Sequence, residues 1–143
     1  MEHLSADMAL QLLDVARRRA EEIGVAMSLA VVDDGGHALA MLRMDGASIL
    51  GAGTVIAKAR TAVYCRRPTH ISVERARAHP EVYASLAAEM TPGMVYSMGG
   101  YPLECGGRLL GAIAASGGSG EQDMAVAEAA LRQFAARCSE TPD

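Results

Sequence analysis

The sequence predicts an α+β fold in which helices pack on one antiparallel sheet of about five strands. Three observations lead there. Two glycine pairs, Gly35-Gly36 and Gly106-Gly107, each sit between apolar runs, which is the turn chemistry of tight antiparallel hairpins. The helical stretches fall before, between and after these hairpins instead of alternating with single strands, so a doubly wound parallel sheet does not fit. The chain has 143 residues, half of them hydrophobic, and a chain of this size buries roughly 70 % of its unfolded surface, enough for one core. A single domain over residues 1–143 is expected, its core at about 5–136, with a short polar tail at 138–143.

The elements follow in the order α-β-β-α-α-β-β-β-α. Ser5 is placed to cap a first helix that ends at Gly24, with an apolar stripe of Ala9, Leu12, Leu13, Ala16, Ala20 and Ile23. Met27 to Val32 and Ala38 to Leu42 form the first hairpin. Both runs are apolar at successive positions, so both faces of the sheet must be dry: one under the protein's own helices, the other under a partner subunit or a ligand. From Ser48 to Tyr64 the only charges are Lys58 and Arg60, which describes a buried helix. Its polar residues Thr54, Lys58, Thr61 and Cys65 share one stripe, facing solvent or lining a pocket.

Pro68 ends that helix. Ser72 is positioned to cap a short one through Arg77, and Pro80 opens another over Glu81 to Met90. Met94 to Met98, Tyr101 to Cys105 and Arg108 to Ser116 read as three further strands. Ser119 with Gln122 forms a capping box for the last helix, whose stripe is Ala127, Leu131, Phe134 and Cys138.

Composition excludes several roles. A net charge of −4 argues against general nucleic-acid binding. No stretch approaches membrane-spanning length and no basic start precedes an apolar run, so neither an anchor nor a signal peptide is expected. Three cysteines, Cys65, Cys105 and Cys138, are odd in number and form no metal-ligand pattern, which suggests a reduced, cytoplasmic protein. With one Phe and no Trp, the core rests on aliphatic residues and nine methionines, which serve mainly to fill gaps. Arginines cluster at Arg60, Arg66, Arg67, Arg75 and Arg77, a local match for carboxylates or phosphates, while Lys58 is the single lysine.

Five spaced motifs then carry a resemblance: Val31-Val32-Asp33 with Gly35-Gly36-His37, Arg43-Met44-Asp45-Gly46-Ala47, Lys58-Ala59 with Thr61-Ala62, Gly99-Gly100 with Pro102, and Gly111, Ile113, Ser116-Gly117-Gly118 with Asp123. In this set the chain resembles the GlcG/HbpS-like family, the haem-degrading domain, which includes the C-terminal domain of PduO-type proteins. The resemblance implies a profilin-like fold and assembly into dimers or larger homo-oligomers, up to octamers. It implies haem or corrinoid binding in some members and cofactor-free lyase chemistry on aromatic hydroxylamines in others. In haem-binding relatives a threonine serves the haem, a part that Thr61 or Thr69 would take here.

The residues themselves point to a small-molecule pocket between subunits. Asp45 and Lys58 are the expected acid/base pair, and Arg43, Thr61, Gly99, Gly100, Ser116 and Gly117 the expected ligand-binding residues. Arg43 with Asp45 as a structural ion pair is the bland alternative, as is a plain helix cap at Gly117 to Gly120 and a plain turn at Gly99-Gly100. No metal site is expected. The preferred reading is a cofactor-independent lyase or isomerase acting on a small carboxylated or aromatic compound. A haem or tetrapyrrole binder is the alternative reading, and a non-catalytic accessory subunit a third.

Overall fold

Serine and glycine bound the first helix as their chemistry requires. In the computed structural model, which describes residues 1–140, Ser5 Oγ accepts from the Met8 N–H and Gly24 closes the other end in the left-handed region at φ +76°. Between them lies α1 (Ala6–Ile23). It is followed by β1 (Ser28–Asp33), β2 (Ala38–Arg43), α2 (Ile49–Cys65), α3 (Thr69–Ala78), α4 (Pro80–Glu89), β3 (Gly100–Cys105), β4 (Arg108–Ser116) and α5 (Gly120–Glu140). The strands form one antiparallel sheet in the order β2-β1-β4-β3. β1 and β4 are central, which is why they are apolar on both faces.

The second face is not covered by another subunit, as the sequence suggested, but by the chain itself. Leu29, Val31, Ile113 and Ala115 point to a core shared with Leu12 and Ala16 of α1 and Val126 and Phe134 of α5. Ala30, Val32, Ala112 and Ala114 point the other way, onto Val55, Ala59, Ala62 and Val63 of α2. A helix apolar on nearly every side announces that it is buried but not which surface it lies on, and α2 takes the face left over for a partner. Only small side chains on both surfaces let it lie so close to the strands. β2, at the sheet edge, does expose Met41, as the first turn of α2 exposes Ile49 and Leu50.

The sheet has four strands, not five. Met94 to Met98 pairs in no ladder: the Val95 N–H is spent on Thr61 Oγ1 at 2.9 Å, so this segment contacts α2 instead of lying beside β3. α3 begins three residues before the expected cap. Pro68 takes the cap position, Ser72 is buried inside the helix, and the Thr69 hydroxyl accepts from Gly100 N. The box of Ser119 and Gln122 opens α5 as expected. That helix continues to Glu140, so the expected polar tail is helical through 140 and its remainder lies outside the described residues.

Cys105 at the end of β3 and Cys138 near the end of α5 are joined by a disulfide, and Cys65 is free. This overturns the expectation of three reduced cysteines, and with it the cysteine argument for a reducing compartment. Positions 33 apart carry no spacing signal and meet only when α5 lies along the sheet. No helix among the described residues is long and apolar enough to cross a membrane.

Phe134 is 1 % exposed and bridges α5 to the sheet core. Phe134→Ala is expected to cost about 3–5 kcal/mol of unfolding free energy. Urea denaturation checks this; a loss below about 1 kcal/mol would show that α5 does not complete the core.

Candidate functional site

Lys58 sits in the middle of α2 on the stripe that the sequence singled out. Two members of the stripe, Thr54 and Lys58, line a pocket, as one of the two expected arrangements has it, while Thr61 holds segment 94–98, its Oγ1 donating to Ala57 O and accepting from Val95 N. Lys58 is 2 % exposed, and its Nζ donates to Ala115 O at 2.8 Å and to Asp123 Oδ2 at 3.1 Å. Asp123, in the first turn of α5, is itself 5 % exposed, and its other oxygen accepts from Gly118 N at 2.8 Å. An ionic pair this dry is held against its own solvation. Burial pushes the Lys58 ammonium down and the Asp123 carboxyl up, while their mutual attraction opposes both movements.

Glycine makes the pair possible. Gly99 has φ +108°, and a Cβ there would stand 2.7 Å from Asp123 Cβ and 2.9 Å from Ala115 O. A side chain at Gly100 would meet Thr69 Cγ2 at 2.8 Å and Lys58 O at 3.0 Å. Gly99 and Gly100, expected to bind a ligand, are pressed instead against the protein's own backbone and helices. At the start of α5, Gly118 N and Ser119 N are taken by Asp123 and Gln122, so the turn is a cap, the bland alternative.

Beside the pair opens a cleft of about 250 Å³ lined by Ser48, Thr54, Lys58, Ser97, Ser116, Gly117, Gly118 and Asp123, with Leu50 and Gly51 from the first turn of α2. Of the residues expected to form a site, the structure brings Lys58, Ser116 and Gly117 together here. Thr61, Gly99 and Gly100 pack behind it. Arg43 and Asp45 do not join it; they line a separate cleft of about 380 Å³ with Arg17 and Glu21. Arg43 Nε and Nη2 both donate to Ala47 O, at 3.1 and 2.7 Å, so this side chain brackets the Met44–Gly46 turn and forms no ion pair with Asp45. Asp45 is exposed, without the burial an acid/base role demanded.

Sequence reasoning missed Asp123 as the partner of Lys58. It stood in the last motif, but a pair 65 residues apart has no periodic signature. Neither threonine considered for haem is open to a ligand: Thr61 and Thr69 are fully buried and engaged by Val95 N and Gly100 N. The described histidines are dispersed. His37 is exposed beside Asp33, His70 packs its ring 5.9 Å from that of Tyr101, and His79 is exposed at the start of α4. Among the described residues no group of three or more His, Cys, Asp or Glu is placed to hold a metal ion.

Comparison with known proteins supplies a context for this geometry. A family model described as haem degrading protein HbpS-like matches residues 4–132. GlcG of Escherichia coli strain K12 is 37 % identical over 114 residues, which are 79 % of this chain and 81 % of GlcG. The solved structure of Klebsiella pneumoniae protein ORFY superposes with a TM-score of 0.87 at 29 % identity, over 95 % of this chain and 93 % of that one. A PduOC:haem complex superposes with a TM-score of 0.83 at 32 % identity, over 91 % of this chain and 94 % of that one.

Because the pair is buried, removing one partner should be worse than removing both. Lys58→Met is expected to destabilise the fold by about 3–5 kcal/mol, and Lys58→Met with Asp123→Asn to regain most of that. Chemical denaturation of the three proteins checks it, and equal stability of Lys58→Met and the parent would show that the pair carries no structural weight.

Proposed function

Because the chain belongs to the HbpS-like haem-degrading protein family, we propose that it is a homo-oligomeric small-molecule-binding protein whose ligand is haem or a related tetrapyrrole. The observation that carries this reading is the likeness, over more than nine-tenths of both chains, to a structure solved with haem. The residues of α4 fit such a group. α4 buries no residue, and it holds Val82 and Leu86 56 % and 47 % exposed. Val82 and Leu86, at i and i+4, share one side of the helix, and His79 stands exposed at its N-cap. An imidazole, two aliphatic side chains and the Arg75 and Arg77 guanidiniums of the preceding helix end match the iron, the macrocycle and the propionates in kind.

When bound, the iron supplies the ligand-exchange and redox chemistry of the group. His79 would hold the iron through an imidazole nitrogen, Val82 and Leu86 would cover an apolar part of the group, and Arg75 and Arg77 would neutralise its carboxylates. One helix face would cover only part of such a group. The rest would fall to a second copy of the chain, and self-association enters the reading there.

A second reading is favoured by one specific observation, the buried Lys58–Asp123 pair on the wall of a small polar cleft. Such a pair suits cofactor-independent acid/base chemistry, of lyase or isomerase type, on a small carboxylated or aromatic compound. Arg43 and Asp45 have no part in it.

Titration with haemin, followed by the absorption band and by sedimentation, separates the readings. A saturable band shift is expected, altered in position by His79→Ala and weakened at least about tenfold by Leu86→Glu, since a buried charge there costs more than one tenfold step. No saturable shift, or one indifferent to both substitutions, would remove the tetrapyrrole reading from α4.

A further inference from the structure

The chain uses arginine for twelve of its thirteen cationic side chains. Its one lysine is not among the surface cations but is 2 % exposed at the wall of the 250 Å³ cleft. Arginine stays charged in proteins, whereas a lysine amine can surrender its proton and become a nucleophile. We infer that Lys58 is an imine-forming residue and that its cleft takes a small carbonyl compound, an α-keto acid or an aldehyde. The inference rests on the second reading above and names its chemistry.

Geometry supports it on three counts. Two of the three donor positions on Lys58 Nζ are taken, by Ala115 O and Asp123 Oδ2, which leaves one direction on the nitrogen for a ligand. Asp123 lies within hydrogen-bond reach of that nitrogen, so a proton can pass between them with no rearrangement. The hydroxyl-bearing residues Ser48, Ser97 and Ser116 and the first turn of α2 line the same space, a setting for a carboxylate or a carbonyl oxygen. The volume corresponds to about eight water molecules of liquid, so the ligand has only a handful of heavy atoms. Burial drives both groups towards their neutral forms, which is the state the first step requires.

The step balances without a redox partner. With the proton on Asp123, the neutral amine of Lys58 attacks the carbonyl carbon; a C–N bond forms and the carbonyl π pair moves to oxygen, which receives the proton lost from nitrogen. Asp123 then protonates the carbinolamine hydroxyl, the C–O bond breaks, and water leaves. The product is a protonated imine on Lys58 facing the Asp123 carboxylate.

The test uses the intact folded protein with glyoxylate and with pyruvate as probes, cyanoborohydride as the trapping reductant, and peptide mapping by mass spectrometry. The amino terminus is the one other amine in the chain, so the map is unambiguous. A saturable adduct on the Lys58 peptide is expected, lost in Lys58→Arg, which keeps the charge but has no amine, and strongly reduced in Asp123→Asn. Adducts at the amino terminus alone, or on Lys58 only after unfolding in urea, overturn the inference, and this comparison needs no variant to fold. A thermal shift with acetate or benzoate, but no adduct from either carbonyl probe, also overturns it while leaving the cleft as a ligand site of the second reading.

Discussion

The constraint behind the whole structure is that β1 and β4 carry apolar side chains on both surfaces, and neither surface tolerates water. α1 and α5 cover one side with Leu12, Ala16, Val126 and Phe134. α2 covers the other with Val55, Ala59, Ala62 and Val63, a far flatter set. Flatness is what lets a helix and a sheet made mainly of alanine and valine come close enough to exclude solvent. It also leaves no room to bury anything polar by accident, so the one charged side chain carried into this layer, Lys58, has to be met by a specific partner.

That partner arrives from the opposite layer. α5 belongs to the α1 side of the sheet, yet its first turn reaches round the end of β4, where Asp123 meets Lys58. The crossing is allowed because Gly99 removes the side chain that would collide with Asp123, and Gly117, at φ +135°, turns the chain off β4 beneath Ala26. Pair, glycines and cleft are thus a single arrangement at one end of the sheet. The surface proposed for the tetrapyrrole, α4, is built on the contrary principle: it buries no residue and keeps Val82 and Leu86 outward.

Much of the architecture was legible because it is local. Ser5 and Gly24, Ser119 and Gln122, Pro80, and the two glycine hairpins act within a few residues, and the sequence shows both halves of each device. Apart from the cap expected at Ser72, which lies inside α3, the main failures are long-range. Met94 to Met98 has strand composition, but its fate was decided by Thr61, a side chain on another element. Cys105 with Cys138, and Lys58 with Asp123, are pairs defined by the packing of α5, which no periodicity encodes. Arg43 and Asp45 stood close to a motif and to an apolar run, yet they turn to the outer edge of β2, where Arg43 serves the Ala47 carbonyl. Adjacency in sequence was mistaken for convergence in space.

The disulfide between Cys105 and Cys138 bears on how the cleft admits a molecule. α5 is clamped at both ends, by Asp123 and the capping box at its start and by a covalent cross-link to β3 near its finish. It is therefore tied to the sheet at both ends, and the bank of the cleft that carries the carboxylate is the anchored one. The opposite bank, formed by the opening turn of α2 and by Ser97 in segment 94–98, is secured by isolated hydrogen bonds such as Ser48 to Gly51 and Thr61 to Val95. A ligand of the proposed cleft would enter past that less anchored bank.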